Sequence, residues 1–221
     1  MTSFLRSFLE PLSYMIYALA FVLEYRRSKS MREKVLIVYY FLAAIIFTYA
    51  SVLAFEDDKD NNWLYDIHYF ISAIVFGYYF YNLLVNKTNK QIIIVLFSLV
   101  VFNFILSDFI LRHSFFNSFS NSFLFLAVII ASLFYFHELL ARLTEKNILL
   151  NFNLWVVSGY LVYFLGSFLI ILSYSYFSNK LTIADRVILG DLWAVQNVLL
   201  FLTSVLTLCS FLWIAFQTKS R

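Results

Sequence analysis

Long apolar runs separated by short polar punctuation dominate the chain, and they set its architecture before any single residue is considered. A helix that crosses a bilayer needs about 20 mostly apolar residues. Segments 35–55, 64–85, 91–111, 119–141, 153–177 and 192–216 meet that requirement. A further segment, 4–25, is weaker, because its clean apolar core runs only from Leu12 to Leu23. It reaches spanning length when extended back to Phe4, with Arg6 snorkelling toward the headgroups. Pro11 is tolerated near a helix start. Arg6, the apolar run and the small pair Ala18 and Ala20 loosely mimic a secretory leader, but Glu10 and Pro11 interrupt it and the apolar run continues through Leu23. The expectation is an all-α integral membrane protein: a single transmembrane domain over 1–221, built as a seven-helix bundle.

Composition leaves little room for a soluble alternative. Hydrophobic residues make up 62% of the 221 residues and charged residues 13%, against roughly a quarter charged in a typical soluble domain. Only a lipid environment lets the outer surface be as apolar as that. The net charge of +3 is scattered, with no basic patch or motif that would read nucleic acid. The single cysteine, Cys209, can form no internal disulfide and is expected to be a buried packing group.

Charge does fix an orientation. The turn after the first segment carries Arg26, Arg27, Lys29, Arg32 and Lys34, whereas the next is acidic, with Glu56, Asp57, Asp58 and Asp60 around Lys59. Cytoplasmic loops collect Lys and Arg. With the first turn inside, Lys87, Lys90, Arg142, Lys146, Lys219 and Arg221 also fall inside; Arg6, Lys59, Arg112, Lys180 and Arg186 fall outside. The N-terminus is therefore expected outside and the C-terminus in the cytoplasm. Trp63, Tyr65, Trp193, Tyr174 and Tyr176 then lie at outer ends, and Tyr39, Tyr40, Tyr78, Tyr79, Tyr81, Trp155 and Trp213 near inner ends. That distribution reads as interfacial belts of amphipathic rings.

Polar residues inside the spans are expected to face the bundle, since a lipid-facing amide would go unsatisfied. Gly159, Gly166 and Ser173, seven apart, form a seam for close helix approach. Asn103 and Ser107 of the fourth span, with Asn197, Ser204 and Thr207 of the seventh, suggest interhelical hydrogen bonds or a polar pocket between the fourth, sixth and seventh helices.

Catalytic chemistry is hard to build from this chain. His68, His113 and His137 are too scattered to share a metal, and no serine elbow or phosphate-binding glycine loop occurs. No metal, no cofactor and no enzymatic activity are expected. No ionisable residue lies at the centre of a span, which argues against a charge-driven pump. One constellation remains, at the outer rim: Asp66 and His68, then Asp108, Arg112 and His113, then Asp191 and Trp193. Histidines beside carboxylates titrate near neutral pH or grip a polar ligand. His137, Glu138 and Arg142 read as the solvated cytoplasmic tip of the fifth helix.

The stretches Asp60-Asn61-Asn62-Trp63-Leu64-Tyr65-Asp66, Asn153-Leu154-Trp155-Val156-Val157-Ser158-Gly159-Tyr160-Leu161-Val162-Tyr163-Phe164 and Leu192-Trp193-Ala194-Val195-Gln196-Asn197 carry a resemblance. The chain resembles uncharacterised small seven-span bacterial membrane proteins often encoded beside sensor histidine kinases. The resemblance implies a multi-pass protein of the bacterial inner membrane with a role in signalling, and it transfers no catalytic residue. Three functions are carried forward. One is a receptor-like or signalling-accessory protein that passes an outer or lipid-phase signal to a membrane or cytoplasmic partner, with a sensor kinase as the partner the resemblance suggests. The others are a carrier or flippase for an uncharged or lipidic substrate, and a structural subunit of a larger membrane complex.

Overall fold

The computed structural model describes residues 2–55, 62–110, 118–141, 148–178 and 183–219. Among these, seven long helices follow one another and no strand occurs: α1 (Thr2–Ser28), α2 (Met31–Phe55), α3 (Asn62–Leu83), α4 (Lys87–Phe104), α5 (Ser118–Ala141), α6 (Phe152–Ser178) and α7 (Ile183–Lys219). A π-helical turn, Ile105–Ile110, continues α4, and a 3₁₀ turn, Ile148–Leu150, precedes α6. Six helices contain a stretch long and apolar enough to cross a bilayer. The chain is a multi-pass helical membrane bundle.

Two members are weak, and one is the expected α1, whose spanning stretch has the lowest mean hydropathy of the six, 1.2. The stretch Phe8–Ser28 of α1 passes on length and mean hydropathy, whereas α3 is not among the six despite its 22 residues. Its sequence explains why, since Tyr65, Asp66, His68, Tyr69, Ser72 and a run of further tyrosines dilute the apolar pattern. His68, Tyr69 and Ser72 are buried among neighbouring helices, which keeps these polar groups away from the exposed side of α3.

The helices pack in chain order and the bundle closes on itself. α1 lies against α2 and α7, α6 against α5 and α7, and α3 against α2, α4 and α5, while α4 also meets α5. We call the end that holds the α1–α2 turn the basic end, and the other the far end. The α1–α2 turn is tight, with Lys29 in the left-handed region at φ 55° and its N–H on the Tyr25 carbonyl. At the α3–α4 turn, Asn86 caps α4 by accepting the Thr88 N–H at 2.8 Å.

Lipid supplies little hydrophobic drive between helices, so shape decides the packing. Gly77 allows α4 to approach α3, and a Cβ there would stand 3.0 Å from Phe97 Cβ. The expected seam on α6 faces α7: a Cβ on Gly159 would meet Thr203 and Thr207, and one on Gly166 would meet Leu199. Ser173, farther along, is half-buried and donates to its own Ile170 carbonyl.

Two sequence expectations need correction. Tyr39, Tyr40 and Tyr79 do not belong to an interfacial belt but are buried in the core with Tyr14, Tyr17 and Tyr160. A phenol can be buried wherever its hydroxyl finds a partner, and here it does. Cys209 is exposed, beside Trp155 and Trp213 on the outer surface of α6 and α7, because its position on α7 turns away from the bundle.

Candidate functional site

Helical spacing brings the core tyrosines together. Tyr14 and Tyr17 lie on one face of α1, and Tyr160 and Tyr163 on one face of α6. Adjacent Tyr39 and Tyr40 on α2 point to different neighbours. Tyr17 and Phe21 stack on Tyr40, with centroids at 4.8 and 5.5 Å, and the Tyr40 and Tyr160 hydroxyls are hydrogen-bonded to each other. Tyr17 also reaches Thr203 and Thr207 on α7.

At the centre of this layer stands His68, only 2% exposed. Its Nε2 lies 3.2 Å from the Tyr14 hydroxyl and 3.4 Å from that of Tyr39. Ser72, one turn along α3, donates to the His68 carbonyl at 2.7 Å. Its oxygen, 2.7 Å from the Tyr39 hydroxyl, is then free to accept from Tyr39. The Tyr14 hydroxyl is left to donate to Nε2, in the tautomer that keeps Nε2 unprotonated. Aromatic walls complete the setting, with Tyr39 stacked on the imidazole and Phe47 edge-on at 4.6 Å. A cavity of about 20 Å³ runs between Tyr14, Tyr39, His68, Tyr69, Tyr160 and Tyr163. That is room for about one water molecule.

Toward the far end, Gln196 of α7 donates through Nε2 to the Tyr163 hydroxyl at 3.2 Å, and it also reaches Tyr69. Glu10 of α1, buried, lies within electrostatic reach of Tyr14, Tyr69 and Tyr163. The bundle interior therefore holds two ionisable side chains: Glu10 and His68 sit within it, about a third of the way along their helices.

The residues expected to form an outer constellation part company. His68 turns inward to the tyrosines. Asp66 is half-buried and Asp191 exposed. Trp193 packs edge-on against Tyr65 at 5.3 Å, which sets the start of α3 against α7 about three turns into that helix. The Asp108 side chain, Arg112 and His113 lie outside the described residues.

The proposed polar pocket divides in the same way. Asn103 accepts a hydrogen bond from Ser120 of α5, and Ser107 is 3.2 Å from the same hydroxyl. Asn197, Ser204 and Thr207 are buried on α7, which packs on α1 and α6 and not on α4. Ser204 and Thr207 donate to the Phe201 and Thr203 carbonyls of their own helix, and Thr207 in addition meets Tyr17 of α1.

Glu138 also has a structural partner set. Its carboxylate accepts the Val85 and Asn86 backbone N–H groups at 2.8 and 3.1 Å, and the Asn89 amide at 2.8 Å. That ties α5 to the α3–α4 turn. His137 beside it is exposed, and Arg142 lies outside the described residues.

Sequence reasoning passed over Glu10, Tyr14, Tyr17, Tyr160, Tyr163 and Gln196 as site residues. A usable signal existed: Glu10, Tyr14 and Tyr17 fall at i, i+4 and i+7, a polar stripe on an otherwise apolar helix. No protein-family model, curated protein or solved structure matches the chain.

Proposed function

We propose that the chain is a receptor-like or signalling-accessory membrane protein of the bacterial inner membrane. In this reading it has seven spans, with α3 the least apolar, the N-terminus outside and the basic α1–α2 turn in the cytoplasm. The observation that carries it is the His68 centre, where side chains from α1, α2 and α3 share one imidazole. A small displacement of any one helix changes hydrogen bonds made by the other two, and such a network is suited to two alternative arrangements. The opposite face of α3 forms a lipid-facing groove of about 500 Å³ with α4, lined by Gly77, Tyr78, Tyr81, Phe97, Ser98 and Phe102. A ligand dissolved in the bilayer could press on α3 there, and an outer signal would arrive through the contact of Tyr65 with Trp193.

In this reading the output passes to a second protein, with a sensor kinase as the first candidate. Crosslinking in native membranes, with identification of captured proteins, tests this. A reproducible partner is expected, with capture altered by Tyr14→Phe and His68→Gln. Consistent capture of nothing defeats the proposal. A carrier or flippase for a lipidic substrate draws on the same groove but ranks second, since the core cavity of about 20 Å³ offers no passage. Liposome flux above the protein-free background would reverse that order.

A further inference from the structure

Lys90 stands at the mouth of the lipid-facing groove between α3 and α4. Its Nζ lies 5.0 Å from the centroid of the Tyr81 ring, and Tyr81 is part of the groove wall at the basic end. On α4 the groove is lined by Ile94, Ser98, Val101 and Ile105, a stripe at helical spacing that Lys90 begins one turn earlier. The matching stripe on α3 is Ile74, Gly77, Tyr78 and Tyr81. The surface is open, with Ile74, Ile94 and Phe102 each at least half exposed. Lys90 is half-buried, as befits a side chain whose apolar stem lies along its helix while the ammonium reaches the headgroup level. Lys87, one turn before it, adds a second ammonium at the positive end of the α4 dipole. The Glu138 carboxylate at this end is engaged by the α3–α4 turn, through Val85, Asn86 and Asn89. Among the described residues no carboxylate forms an ion pair with Lys87 or Lys90.

We infer that the groove binds an anionic phospholipid, with an acyl chain between α3 and α4 and the phosphate held by Lys90 and Lys87. This rests on the reading of the groove as the place where a bilayer-dissolved ligand acts, and it specifies that ligand. Length fits a lipid of one leaflet. The stripe from Ile94 to Ile105 rises about 16 Å along α4, and one leaflet supplies about 15 Å of hydrocarbon. The volume of about 500 Å³ is that of a small-ligand site. Charge selects the headgroup. A net negative phosphate meets two ammonium groups there, as in other basic pockets between membrane helices, whereas a choline headgroup brings a cation of its own to the same place. The walls also favour a chain over a partner's helix. Helices approach closely over small residues, but Tyr78, Tyr81, Phe97 and Phe102 stand around this groove. A flexible chain can thread between such rings.

The test uses the full chain in a neutral detergent, titrated with phosphatidylglycerol, phosphatidylcholine or glycerol phosphate. Bound lipid is counted by native mass spectrometry, and the unfolding midpoint is followed in parallel. Phosphatidylglycerol should bind saturably and raise the midpoint, and phosphatidylcholine should bind about fivefold more weakly or worse. Lys90→Gln should weaken phosphatidylglycerol binding about fivefold, and Lys90→Arg should keep it. Lys34→Gln, which removes the same charge from an exposed site near the α1–α2 turn, should also keep it. Ser98→Trp, which fills the groove and leaves both lysines in place, should weaken binding of either lipid. Glycerol phosphate, a headgroup without a chain, should not displace the lipid at equal concentration. Equal binding of the two lipids overturns the inference and leaves the groove to a partner's helix. So does undiminished phosphatidylglycerol binding in Lys90→Gln or Ser98→Trp, an equal loss in Lys34→Gln, or displacement by glycerol phosphate. Partner capture in native membranes is read separately. Capture that persists where lipid selectivity fails overturns the lipid site alone, and lipid selectivity without any capture overturns the signalling reading alone.

Discussion

The carboxylate of Glu138, near the end of α5, accepts the backbone N–H of Val85 at 2.8 Å, where the chain leaves α3. Asn86 N–H and the Asn89 side chain share the same carboxylate, so one side chain fixes where α4 begins. Glu138→Ala removes all of these acceptors and strands two backbone donors. Bonds to a charged acceptor are worth more than neutral ones, and the expected loss is about 2–3 kcal/mol. Thermal unfolding in detergent measures it, and faster proteolysis at residues 84–89 should accompany it.

Gly77 and Gly166 should respond differently to alanine. At Gly166 the new methyl would meet the tip of Leu199, 2.8 Å away, and a leucine tip can rotate aside. At Gly77 it would meet Phe97 at Cγ and also at Cβ, and the latter moves only with the α4 backbone. Alanine favours helix by about 1 kcal/mol over glycine, so Gly166→Ala should be close to neutral. Gly77→Ala should be net destabilising by about 1–2 kcal/mol. Paired melting curves that show the reverse order would exclude this account of the α3–α4 contact.

The Tyr40–Tyr160 pair is expected to behave as a unit. Either tyrosine changed alone to phenylalanine leaves a buried hydroxyl without its partner and should cost about 1–2 kcal/mol. Tyr40→Phe with Tyr160→Phe removes both hydroxyls and should cost less than the sum of the single changes. A double-mutant cycle measures the coupling, expected at about 1 kcal/mol.

Lys29 carries a conformational cost that glycine would relieve. Its φ of 55° places it in the left-handed region at the end of α1, where helices commonly close with glycine. Lys29→Gly should raise stability by up to about 1 kcal/mol. Its long side chain lies near the Tyr25 ring, at 5.7 Å, and loss of that exposed contact should offset little of the gain.

Helix positions were legible because apolar length is a one-dimensional property, and most helix ends fall within about four residues of the apolar runs, although α7 begins at Ile183, well before the expected 192. The Gly159–Gly166 seam was legible for the same reason, as spacing alone puts both on one face. Tyr39, Tyr40 and Tyr79 were misplaced because a phenol near the end of a span satisfies two descriptions equally well. Only the rotation of the helix distinguishes a headgroup contact from a core contact, and the α2 and α3 patterns are too uniformly apolar to reveal it. His68 was misjudged by the same ambiguity: a histidine five residues into a span looks like a rim group until Tyr14 and Tyr39, far away in sequence, are seen to surround it. The pocket between the fourth and seventh spans required helix adjacency, which composition and spacing do not contain.

The serine and threonine hydroxyls of α7 have a mechanical consequence. Thr203, Ser204, Thr207, Ser210 and Thr218 each donate to a carbonyl of their own helix. These bonds travel with α7, so sliding along its axis would break none of them. Gln196 and the Thr203–Thr207 contact with Tyr17 are among the points where such sliding would meet resistance. These hydroxyls therefore bind α7 to itself, and its fit to α6 rests on shape, at Gly159 against Thr203 and Thr207 and at Gly166 against Leu199.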